Sequence, residues 1–216
     1  MTSYTQAPLL IKGAIITLNP LNPAAVIIFQ YNPAEMTRTL TPQRMKAETV
    51  PVGTMRLTGP PREKIEMSVN LNAVDQLEQA SPGGAGLGIY PQLSALEMLL
   101  YPARSLVLAN AAKLALGVLE IVPPESPLTI LVFGTKRVVP MQLVSYSATE
   151  TMHTPDLVPV TATAKLGIEV LTYQDFQPTQ PGYYLYLANQ AVREAMAAIG
   201  TVGNIKSVAG GALQVI

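Results

Sequence analysis

The 216 residues carry 14 Lys and Arg against 14 Asp and Glu, a net charge of zero with only 13% of positions charged, where a soluble domain carries about 25%. With 49% hydrophobic residues and a mean hydropathy of +0.29, this composition excludes a disordered chain and argues against a dedicated nucleic-acid binder, which needs surplus Lys and Arg to meet phosphates. The absence of cysteine excludes disulfides, thiolate metal sites and a cysteine nucleophile.

Solubility as a monomer normally calls for net charge away from zero and small apolar patches. So uncharged a chain is expected to have much of its surface covered by partners. Residues 1–6 lack the basic and apolar regions of a signal peptide, which predicts synthesis in the cytoplasm. The apolar region 96–122 is broken by Glu97, Pro102, Arg104 and Lys113, so no transmembrane helix and no direct membrane insertion are predicted.

Residues 9–18 and 25–30 are rich in β-branched and apolar side chains around the turn signal Asn19-Pro20-Leu21-Asn22-Pro23, which predicts two strands and a tight connection. After the Asn32-Pro33 turn a third short strand is expected at 37–40. Residues 41–61 hold four prolines and no clear period. They read as a long excursion, either a flexible surface loop or a segment ordered by a neighbouring subunit. Residues 64–72 alternate strictly, with Ile65, Met67, Val69 and Leu71 on one face, which predicts a half-buried strand. A polar stretch around Asp75 to Gln79 comes next, and then the glycine-rich run 81–88.

From Pro91 the spacing turns helical through Leu93, Leu96, Leu99 and Leu100, with Pro102 as the expected end. Residues 106–116 read as a second short helix or an irregular apolar linker before a strand at 117–122. Beyond the turn cluster 123–127, strands are expected at 128–133, 138–148 and 160–173. In the last, Val160, Ala162, Ala164, Leu166, Ile168 and Val170 share a face. A helix over 183–199 is expected to stop at Gly200. The order predicts a mainly β protein with α (α+β), an antiparallel sandwich or barrel with an inserted helix and a C-terminal helix, and not a parallel βαβ sheet.

Chemistry is hard to find along this chain. The single histidine, His153, lies in a turn with no second His or dense carboxylate cluster at metal-ligand spacing, and no G-x-S-x-G elbow is present. Gly84-Ala85-Gly86-Leu87-Gly88 follows a polar loop and lacks Gly-Lys-Ser/Thr, so it fails as a phosphate cradle. Glu63 and Glu66 stand three apart in an extended segment and point to opposite sides, which prevents joint acid/base work. Arg62-Glu63-Lys64 reads as a solvated or inter-subunit charge cluster. The run Tyr183-Tyr184-Leu185-Tyr186-Leu187 reads as an amphipathic anchor at an interface or as intramolecular packing. No catalytic residue, cofactor or metal is expected, and the chain is read as no enzyme.

Several strings carry a family resemblance. Phe29-Gln30-Tyr31-Asn32-Pro33 with Thr37-Arg38-Thr39-Leu40, Gly59-Pro60-Pro61-Arg62-Glu63 with Asp75-Gln76-Leu77-Glu78, Gly88-Ile89-Tyr90-Pro91 through Leu100-Tyr101-Pro102, and Val132-Phe133-Gly134-Thr135-Lys136-Arg137 through Met141 resemble the tube-protein domain of contractile injection systems, the phage-tail-like machines of bacteria. The resemblance spans about residues 9–176. It implies a tail-tube fold over 1–176, a β-barrel-like sandwich with a helix at its side, assembled as a six-fold ring between the spike hub and the inner tube of the baseplate.

Many members of that family carry a C-terminal lysin-motif domain, whereas here 177–216 predict a helix and tail, read as an adaptor extension. The function so implied is a tube-initiating adaptor ring in a phage-tail-like particle. The alternatives are a main inner-tube subunit stacking in many copies and a small-ligand-binding β-sandwich. Expected partners are other copies of the chain, the spike hub, the inner tube and further baseplate proteins. Candidate interface residues are Arg38, Arg44, Arg56, Arg62, Glu63, Tyr183, Tyr184 and Tyr186. The 41–62 excursion is a candidate contact for the next ring or the hub.

Overall fold

The computed structural model describes residues 11–19, 22–44, 56–73, 87–102, 104–117 and 127–208. The start of the predicted first strand, the middle of the excursion, the polar stretch after Ala73, most of the glycine run, all but Gly117 of the strand predicted at 117–122 and the extreme tail lie outside the described residues. The elements are β1 (Ala14–Asn19), β2 (Asn22–Ile28), β3 (Met36–Thr41), β4 (Arg62–Asn72), α1 (Tyr90–Glu97), α2 (Arg104–Ala115), β5 (Leu128–Val132), β6 (Val138–His153), β7 (Pro159–Val170) and α3 (Pro181–Val208).

The strands make one seven-stranded sheet in the order β2-β1-β5-β6-β7-β4-β3, with every pair antiparallel. Alternation decides which side faces inward. Ile65, Met67, Val69 and Leu71 of β4 and Ala162, Ala164, Leu166, Ile168 and Val170 of β7 are buried in one cluster with Ile15, Leu131 and Met141. Strands far apart in the sheet order share this core, so the sheet curls upon itself. A side chain bridges distant strands: Gln30, just after β2, donates from Nε2 to the carbonyl of Asn72 on β4 at 2.7 Å and accepts from the Asn72 amide at 2.8 Å.

Strand β6 changes phase part-way. Its register shifts between Leu143 and Ser145, and the inward positions switch from Val139, Met141 and Leu143 to Tyr146 and Ala148. An inserted residue of this kind bends the strand and leaves Val144 on the outside, 49% exposed.

The helices depart from the sequence expectation at their ends. Helix α1 starts with Pro91 in its first turn and buries Leu93 and Leu96, but it ends at Glu97, so Leu100 falls off the stripe and is exposed. Just before it, Gly88 holds a left-handed φ of +56, and a Cβ there would overlap the Pro159 carbonyl oxygen. This glycine serves a close backbone approach, since Ile89 then donates to that carbonyl at 3.1 Å. Residues 104–115 are helix, not linker, and Gly117, at φ +77, ends α2, its amide bonded to the Leu114 carbonyl. The stop expected at Gly200 does not occur: α3 runs on to Val208. Gly200 does not enter the left-handed region, and a glycine in right-handed backbone only weakens a helix, by about 1 kcal/mol.

Candidate functional site

The most concentrated charge chemistry among the described residues surrounds Glu63. Alternation places Glu63 on the inward face with Ile65, and its residue is 2% exposed. Arg38 on β3 meets it with both Nε and a terminal nitrogen at 2.7 Å on Oε1. Arg193, in the fourth turn of α3, meets Oε2 at 2.8 Å. A buried carboxylate is tolerated only when paired and hydrogen-bonded, and here one group ties an edge strand and the C-terminal helix to the sheet.

Arg137, in the turn that leads into β6, adds a third guanidinium. Its pKa is lowered by burial first and then by the charge of Arg38, with Glu63 opposing and Arg193 adding to the effect. Among the described residues no carboxylate pairs with it; its contacts are the Met36 thioether at 2.8 Å and the Phe133 ring, 5.8 Å from its centroid. The reading of Arg62-Glu63-Lys64 as a solvated or inter-subunit cluster therefore fails for Glu63, which is spent inside the fold. Glu66 points outward as expected.

The other sequence candidates are spread over the molecule. Arg62 reaches Glu169 and Asp175, each at 3.5 Å, and Asp175 also accepts from the Thr172 amide and hydroxyl at 2.8 Å. Arg44 pairs with Leu57 in an isolated bridge, and Thr58 donates to the Gln43 carbonyl. The excursion is thus closed at its neck, with Arg44 and Arg56 exposed on either side.

Tyr183 and Tyr186 stack edge-on against Tyr173, with centroids 6.3 and 5.9 Å apart, and Tyr186 is only 8% exposed. Burial raises its pKa, with Arg193 opposing and Glu63 adding to the rise. Of the three tyrosines proposed as an anchor, Tyr184 alone faces out, 62% exposed. Asn189 donates to the Lys136 carbonyl at 3.4 Å, and with Tyr186 and Arg193 it fastens the first half of α3 to the body. From Glu194 to Thr201 the side chains are all exposed, so the second half projects.

His153, read from the sequence as a turn residue, is the last residue of β6. It is exposed and pairs with Glu150 at 3.2 Å, and among the described residues no group of three His, Asp or Glu is placed to hold a metal ion. No described helix is long and apolar enough to cross a membrane. The chain matches no protein-family model and no curated protein.

Apolar surface is what the molecule offers instead. Helix α2 has no buried side chain among those described, although it carries Val107, Leu108 and Leu114, all more than half exposed. Met196 and Ile199 stand out on the projecting half of α3, and Val26 and Ile28 on edge strand β2. The signal for these surfaces was legible as charge scarcity; their position was not.

Proposed function

We propose that the chain is a non-enzymatic structural subunit of a contractile injection system, forming a tube-initiating adaptor ring of six copies between spike hub and inner tube. The observation that carries this reading is α2, a twelve-residue apolar helix with every described side chain exposed. A monomer rarely leaves so continuous an apolar surface uncovered, and helices of this length draw most of their stability from packing. The neutral, weakly charged composition supports the same conclusion.

The strings that resemble the tube-protein family perform structural work. Phe29 fills the core, Gln30 bridges distant strands of the sheet, and Asn32 accepts from the Gly13 amide and donates to the Ile11 carbonyl. Gly134, with a φ of +71, turns the chain from β5 into β6. Residues spent on bracing a sheet suit a scaffold.

Electron microscopy of the purified protein, or of particles from its source, tests the reading. Six-fold rings at one end of a tube are the expected result, with one ring per particle. Many stacked rings would assign the chain to the main tube instead, and a monomer that joins no tube or baseplate would refute both.

A further inference from the structure

Among the described residues the Glu63 cluster holds three guanidinium groups and one carboxylate. Glu63 pairs with Arg38 through Oε1 and with Arg193 through Oε2 and not with Arg137, whose contacts among the described residues are a thioether and an aromatic ring. A thioether is a weak acceptor, and a guanidinium does not lose its proton in a protein. The result is a half-buried positive surplus gathered from β3, the turn that leads into β6, and α3. The planar fork of arginine is suited to a second carboxylate arriving from outside.

The chain as a whole is neutral, so a local surplus of cations is matched by acids elsewhere on the same chain. Glu35, Glu66 and Asp156 are exposed and meet no cation within ion-pairing distance among the described residues. In a closed ring every copy can offer one patch and receive its complement.

We propose that Arg137, flanked by Arg38 and Arg193, is a carboxylate-binding site filled by an acidic side chain of a second copy of this chain. The source of the carboxylate rests on the ring reading; the site itself does not. Occupied, the site fixes the register between neighbours, because a fork accepts a carboxylate in few orientations and a misplaced copy leaves the surplus unpaired.

The test uses the full chain, with sodium acetate against sodium chloride at equal ionic strength as the probe. Sedimentation velocity reports self-association, and the side-chain Nε resonance of Arg137 reports acetate binding to dilute protein. The expected result is an Arg137 resonance that shifts with acetate and not with chloride, self-association weakened by acetate, and association weakened about tenfold or more in Arg137→Met. Arg137→Lys, which keeps the charge and loses the fork, is expected to fall between the two, and it guards against a folding defect in the first variant.

An Arg137 resonance indifferent to acetate, in a chain that still forms rings, overturns the site and spares the ring. A resonance that responds in a chain that stays monomeric supports the site and removes the second copy as its occupant. Unchanged association in both variants also overturns the second copy as occupant.

Discussion

Glu63 shows how one residue can hold distant parts of a chain together. Its alternation with Ile65 and Met67 was readable, and a charge in phase with a buried face signals a paired interior group. The partners were not readable, because Arg38 and Arg193 reach it only after β3 has paired with β4 and α3 has docked. Glu63→Gln leaves three guanidinium groups around a neutral amide. We expect it to destabilise the fold by about 2 to 3 kcal/mol, below the full cost of breaking a buried pair because the arginines are partly solvated; urea unfolding measures this at unchanged m-value.

Tyr146 is a second interior case. Its hydroxyl is buried without a hydrogen-bond partner among the described residues, and its pKa is pushed up to about 12 by burial first, then by Glu97 and Glu150. The folded state holds this proton more tightly than the unfolded chain, whose tyrosines titrate near 10. The associated stability is present below about pH 10 and lost as the pH rises toward 12. Tyr146→Phe is therefore expected to be neutral or slightly stabilising at pH 7, since it removes an unsatisfied group. It should also delete a late-titrating tyrosine from the absorbance titration at alkaline pH; a destabilisation above about 1 kcal/mol would show that the hydroxyl has a partner.

At the scale of elements, the same residue type has opposite effects in two helices. Gly117 ends α2 because the chain there enters the left-handed region, whereas Gly200 sits inside α3. Composition cannot tell these apart, since the difference lies in the backbone, left-handed at Gly117 and right-handed at Gly200. The anchoring of α3 comes from Tyr173, Glu63 and Lys136, none of which lies on the helix.

Helix α2 presents the reverse situation, with apolar residues and no anchor within the chain among its described side chains. Leu108→Glu and Leu114→Glu, both at positions more than half exposed, are expected to shift the stability of the isolated chain by no more than about 0.5 kcal/mol. They should nevertheless prevent ring assembly, as scored by counting rings in micrographs. Loss of stability with assembly intact would mean that α2 packs on its own body.

Across the whole molecule, the curled sheet leaves β2 and β3 as its two outer strands. Exposed strand edges invite pairing with other chains, and here they accompany apolar helical surface and zero net charge. Isolated proteins of that kind tend to associate, and the proposed ring would give that tendency a defined form. The six-fold count rests on the family resemblance and is the part that microscopy decides.

The amino-acid sequence outlined the described strands, the inward faces of β4 and β7 and the shortage of charge, because alternation and composition are local properties. It also placed α1 and the first part of α3 to within about a turn or two, while leaving α2 open between helix and linker. Only the tertiary structure decided that β5 inserts between β1 and β6, that Glu63 gathers arginines from β3 and α3, and that Arg137 meets no carboxylate among the described residues. Those facts depend on contacts between residues far apart in the chain, and such contacts exist only once the sheet has formed.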